Sequence, residues 1–199
     1  MSRVTPWQRW GRTMVLGVVA AAGAWFAFGA HSPVPVLDGF DLGVHETGHL
    51  LAAPFPEIVM FMAGSFAQVA FPLAMAWYFG VRRRDPAAGG FCLVWAGTSA
   101  WDVSVYAGDA VVQRLPLVGG GQHDWAFILG HFDALHLTAA ISRGIEIGGA
   151  LLALSGLIVI ALVLAPAPTL ERGAEPMVRD PEADPWMAAG RLPFRHESG

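Results

Sequence analysis

Two histidines four residues apart, His45 and His49, enclose the pattern His45-Glu46-Thr47-Gly48-His49. On a helix that spacing puts both imidazoles on one face, where they can hold a single zinc ion, and leaves the glutamate placed to take a proton from an activated water. The chemistry this points to is metal-assisted hydrolysis of an amide or ester with Glu46 as general base. A catalytic zinc takes three protein ligands and keeps one position open, so the pair needs a third donor. A histidine at the extended spacing is absent, because the downstream position is Phe55. The candidates are Asp109, His123 and Asp102, with Asp124 after them. Tyr106, between Asp102 and Asp109, is a candidate for stabilising an oxyanion or orienting substrate. His131 and His136 read instead as polar residues at the start of the last span.

The elements that must position these groups are apolar. The chain is 54% hydrophobic and 14% charged, with a mean hydropathy of +0.48, too apolar for an ordinary soluble domain. Met14 to Ala30 is an uncharged run of 17 residues and Ile58 to Val81 one of 24, each enough to cross hydrocarbon. Ala87 to about Gly108, interrupted only by Asp102, and a stretch within Ile147 to Leu170 supply two more. The expected fold is therefore all-α: a polytopic membrane bundle of about four transmembrane helices with short interfacial or re-entrant helices. The apolar stretch after Arg3, Arg9 and Arg12 exceeds a signal-peptide core, so a retained span is expected.

Arginine placement orients the bundle. Arg3, Arg9 and Arg12 precede the first span and Arg82, Arg83 and Arg84 follow the second, so both places are expected in the cytoplasm. Both termini then lie inside, and residues 31 to 57 and 109 to 135 lie outside. His45, Glu46 and His49, the stripe Asp102, Tyr106 and Asp109, and His123 with Asp124 all face the outer leaflet. Ionisable residues at membrane depth are costly and usually face a protein or water-filled interior. Gly119-Gly120-Gly121 is expected to let the following loop fold over the site. Residues 38 to 53 read as a short helix capped by Asp38 or Asp41 and stopped by Pro54 and Pro56. At 16 residues it is short for a span, and a helix dipping in from the outer surface keeps the arginines inside.

A membrane-embedded HExxH resembles the site-2-protease-like family of intramembrane zinc metallopeptidases. That resemblance implies that His45 and His49 bind zinc and Glu46 is the base. The family's third ligand is an aspartate in a later helix, within an NxxPxxxLDG-like stretch; here the one Leu-Asp-Gly, Leu37 to Gly39, precedes the motif. The chain more closely resembles a group of small bacterial membrane proteins that combine HExGH, DxSxYxxDA and HDW, present as residues 45–49, 102–110 and 123–125. This likeness, over roughly residues 40 to 165, implies one constellation built from three motifs and a bacterial inner-membrane location. It brings no established substrate.

Residues 1–165 thus read as a transmembrane domain with a metal site on its outer side. Residues 166–199 hold six prolines among mixed charges and read as a disordered cytoplasmic tail. Cys92 is the single cysteine, which excludes a disulfide framework. The net charge of −4 without a basic patch argues against nucleic acid. Gly144 and Gly148 form a GxxxG helix-contact pattern. The expected function is a zinc-dependent hydrolase, foremost a metallopeptidase, acting on a membrane-associated peptide or lipid-linked substrate. The alternatives are a membrane metal-binding protein without hydrolysis and a metal-free helical scaffold.

Overall fold

In the computed structural model, which describes residues 6–117 and 121–166, every regular element is helical. Helix α1 (Pro6–Ala24) runs on as a π-helical turn, Trp25–Gly29. Helix α2 spans Leu37–Ala52, and α3 (Glu57–Trp77) ends in a second π-helical turn, Tyr78–Arg82. Helix α4 spans Pro86–Gly108, α5 Asp124–His131, and a 3-10 turn at Leu135–Leu137 leads into α6, Thr138–Leu164. By its contacts the chain divides between Ala165 and Pro166. The tail expected after Leu170, like Arg3, lies outside the described residues.

Among the described residues three helices, Arg9–Gly29, Glu57–Arg82 and Leu135–Leu164, are long and apolar enough to cross a membrane. Four were expected; α4 is the one that falls short, although its 23 residues give it about 34 Å of length. The reason is its position. Helix α4 packs against α1, α3 and α6, and Gly89, Gly90, Ala96, Gly97, Thr98, Ser99 and Ala100 along it are buried. A helix surrounded by protein needs small side chains for close approach more than it needs lipid-like ones.

The α4–α6 contact is backbone on backbone. A methyl group on Gly97 would stand 2.5 Å from the Gly149 carbonyl oxygen, one on Gly149 2.7 Å from that of Gly97, and Gly90 and Gly156 meet in the same way. Around the expected GxxxG residues, Gly144 and Gly148, an added methyl would meet nothing within 4 Å among the described residues. The close-packed stripe is thus Gly149 to Gly156, one position away. Gly97→Val is expected to cost about 3 kcal/mol by forcing the helices apart, whereas Gly148→Val should leave thermal unfolding in detergent unchanged.

At the end of the bundle where α1 and α4 begin, Arg12 donates to both Asp85 oxygens at 2.6 Å. Asp85 also caps α4, accepting from Ala88 N–H at 3.1 Å, with Pro86 in the first turn. Burial pushes the Asp85 carboxyl up, but the Arg12 and Ala88 bonds outweigh it and hold it below its ordinary value. The contribution of this exposed pair is therefore full above the ordinary carboxylate range and fades as pH falls below it; it is worth less than about 1 kcal/mol. The pairing joins the two arginine-bearing segments at one end.

Helix α2 does not start on an aspartate cap. Val36 occupies the cap position with φ 69° and no side-chain hydrogen bond, while Asp38 lies in the first turn. Asp41 is buried one turn further on, accepting from Trp95 Nε1 at 2.8 Å and Ser99 Oγ at 2.6 Å of α4. Its carboxylate is committed to holding α2 against α4. The helix ends at Ala52, ahead of Pro54 as expected.

Candidate metal centre

One face of α2 carries Asp41, His45 and His49 inward, the i, i+4 rows of a helix. Gly48 lets that face close on α3, since a methyl there would collide with the Ala63 carbonyl and stand 2.8 Å from Ala67 Cβ. Gly64 of α3 forms the floor beneath both imidazoles: a methyl at this position would be 2.5 Å from His49 Nε2 and 2.6 Å from His45 Nε2. His45 is 6% exposed.

Each imidazole is held from behind through Nδ1. His45 Nδ1 lies 3.0 Å from Gln68 Oε1 and His49 Nδ1 lies 2.8 Å from the Met60 carbonyl oxygen. Both partners are acceptors, so both Nδ1 atoms donate, and in neutral rings both Nε2 atoms present lone pairs. Those lone pairs converge on one atom: Asp124 Oδ2 is 3.0 Å from His45 Nε2 and 3.0 Å from His49 Nε2. Two nitrogen lone pairs facing a carboxylate oxygen repel unless a proton or a metal cation lies between them, and a metal ion satisfies both nitrogens and the carboxylate at once. The three donor atoms lie within 4.8 Å of one another, so this buried group is able to hold a metal ion, with the Nδ1 partners supplying the outer hydrogen bonds such histidines use.

Asp124 is the first residue of α5, and the residues around it fix that helix start. His123 caps α5, its Nδ1 accepting from Ala126 N–H at 3.3 Å. Burial holds the His123 imidazole below its usual value against the pull of Asp109 and Asp124; a neutral ring with a capping Nδ1 carries its proton on Nε2. Among the described residues that atom has no hydrogen-bond partner, and it lies 3.6 Å from Asp109 Oδ2. Asp109 closes the turn after α4 by accepting from Arg114 N–H at 3.0 Å and Leu115 N–H at 2.9 Å. Although burial raises its carboxyl, these bonds hold it below its ordinary value. The Tyr106 ring stacks on His123 at 4.3 Å, and its hydroxyl oxygen accepts from Asp124 N–H at 3.2 Å.

The chain thus gathers its three motifs, with Asp124 as the carboxylate beside the histidines. Asp109, His123 and Asp102, expected ahead of Asp124 as the third donor, are not in the donor group: Asp109 and His123 face each other at 3.6 Å, and Asp102 accepts from Gln68 Nε2 at 2.6 Å. His136 lies in the 3-10 turn before α6, whereas His131 ends α5 rather than starting the last span; neither belongs to the donor group. Cys92 is buried in α4. Of the glycine run expected to fold over the site, Gly119 and Gly120 lie outside the described residues.

Gln68 and Gly64 were not singled out from the sequence. Gln68 is 2% exposed in an apolar helix, and such an isolated amide is itself a signal that a buried partner exists.

A cavity of about 980 Å³ opens onto the centre. His45, Glu46, His49, Asp102, Tyr106 and Asp124 line it, together with apolar Leu42, Phe61 and Val105. Glu46, about 100° around α2 from His45, faces this space without joining the donor group. No protein-family model, curated protein or solved structure matches the chain; the site stands on its geometry.

Proposed function

We propose that the chain is a membrane-embedded zinc-dependent hydrolase, foremost a metallopeptidase of the bacterial inner membrane, with zinc held by His45, His49 and Asp124. The observation that carries this reading is the convergence of two outward-facing Nε2 lone pairs and one carboxylate oxygen at the wall of a large cavity that Glu46 also lines. Two imidazoles and one carboxylate, with the cavity side open, are a donor set suited to catalytic zinc. Bound there, zinc would supply a Lewis acid able to polarise a carbonyl and acidify water. Glu46 accepts the proton released as water attacks and returns it to the leaving group. The Tyr106 oxygen accepts from Asp124 N–H, which leaves its own O–H free to donate to charge developing on the substrate oxygen.

The same reading takes α4 as a fourth span beside the three apolar helices, with the arginine-bearing end in the cytoplasm and α2 and α5 at the outer side. The Arg12–Asp85 pairing supports it by joining the N-terminal region to the α3–α4 turn. Reporter fusions after Ser32 and at the C-terminus are expected on opposite sides of the membrane; finding both on one side contradicts this topology.

Glu46→Gln tests the chemistry. It keeps size and polarity but removes the base, so zinc content should stay near wild type while hydrolysis falls by about 10²–10⁴-fold. The readout is new N-termini in membrane proteins of cells expressing each form. Termini that persist with the glutamine variant remove Glu46 from the mechanism. A zinc-loaded wild type that generates none supports metal binding without hydrolysis.

A further inference from the structure

Asp102 is an acid in the middle of the bundle that does not join the metal-donor group, and its bond to Gln68 gives it a different task. An ionised carboxylate only accepts, so Gln68 must turn its NH₂ toward Asp102, as the 2.6 Å Nε2–Oδ2 contact has it. The amide is planar with one donor end and one acceptor end. Its Oε1 is then obliged to face His45 Nδ1, 3.0 Å away, and His45 must carry its proton there. With that proton on Nδ1, the Nε2 lone pair points toward Asp124.

We propose that Asp102 is a positioning residue that sets the tautomer of His45 through Gln68, so that the ring is held ready to bind metal. The buried amide acts as a one-way adaptor: an accept-only group on one side enforces a donating group on the other. His49 needs no such device, because its Nδ1 faces the Met60 backbone carbonyl, which only accepts. This explains why an acid and an amide occupy two otherwise apolar helices at one level, where each would be costly alone. For its effect on affinity the inference rests on the metal reading of the centre; for its effect on the tautomer it does not.

The test uses the full chain in detergent, Zn²⁺ as the probe and two variants. Asp102→Asn keeps shape and hydrogen bonding but lets either end of the Gln68 amide face His45. In metal-free protein, at a pH where the ¹⁵N shifts themselves show the His45 ring neutral, ¹⁵N-histidine NMR should find its Nδ1 protonated in wild type and mixed in this variant. Zinc affinity, by competition with a chelator, should fall about tenfold, at the lower end for loss of an outer partner of a metal-bound histidine. Adding Gln68→Glu to Asp102→Asn restores the direction, since the carboxylate introduced at position 68 only accepts and the amide introduced at position 102 can donate to it. Both the Nδ1 proton and the affinity should return.

Asp102→Asn behaving as wild type in both measurements overturns the proposal. So does a double variant that fails to regain what the single variant lost, because the role would then be packing. A wild type that binds no zinc, yet shows the same Asp102 dependence of the Nδ1 proton, sinks the metal reading and upholds the tautomer assignment.

Discussion

Asp124→Ala is expected to lower zinc affinity by about two to four orders of magnitude, as much as His45→Ala or His49→Ala. Zinc held by protein ligands is worth about 10–16 kcal/mol. One ligand in three carries about 3–5 kcal/mol of that, and each 1.4 kcal/mol is tenfold. The Asp124 side chain faces the two imidazoles, whereas its backbone N–H makes the bond to Tyr106. Alanine therefore removes the donor and leaves that anchor in place. His123→Ala gives a useful contrast. It removes the cap of α5, worth about 1 kcal/mol, but no atom of the donor group, so affinity should fall about tenfold or less. Chelator competition on the purified variants checks both. An Asp124→Ala protein that binds zinc as tightly as wild type removes Asp124 from the centre.

Gly64→Ala is expected to separate folding from metal binding. In a helix interior alanine is favoured over glycine by about 1 kcal/mol, so α3 itself gains from the change. The added methyl, however, would stand 2.5 Å from His49 Nε2 and 2.6 Å from His45 Nε2, far inside van der Waals contact. Both rings must move, and zinc–nitrogen bonds of about 2.0–2.1 Å tolerate little displacement. Zinc binding should drop at least a hundredfold while the unfolding midpoint of metal-free protein changes little, the helix gain offsetting part of the loss from the displaced ring hydrogen bonds. A variant that unfolds early would show that the methyl disturbs α2–α3 packing; one that binds zinc normally would show that Gly64 does not floor the site.

The histidine pair was legible because its information is local: four residues of spacing decide a shared helix face. The hydrophobic runs located α1, α3 and α6 for the same reason. Helix α4 was legible as a helix from its apolar run, but it is not among the helices apolar enough to cross a membrane, since it is packed among other helices and built from small residues. The helix-contact stripe was displaced by one residue, from Gly148 to Gly149, because a pattern of small residues does not say which face meets a neighbour. The identity of the third donor depends on how the chain returns from Asp109 to His123, a loop whose course no periodicity encodes. Asp109, His123 and Asp102 all had the right chemistry for metal. Each is engaged elsewhere: Asp109 with the Arg114 and Leu115 amides, His123 Nδ1 with the α5 cap, Asp102 with Gln68. Asp124 is the one left facing the imidazoles. Asp41 looked like a cap by its place near a helix start, and only its tertiary partners Trp95 and Ser99 reveal it as an anchor between helices.

X-ray absorption at the zinc edge of the purified wild-type chain tests the centre most directly. Two imidazole nitrogens and oxygen donors at about 2.0–2.2 Å are expected, with the imidazole scattering lost in His49→Ala. An edge no higher than the buffer's, or a shell of oxygens without imidazole, contradicts a metal centre built on His45, His49 and Asp124.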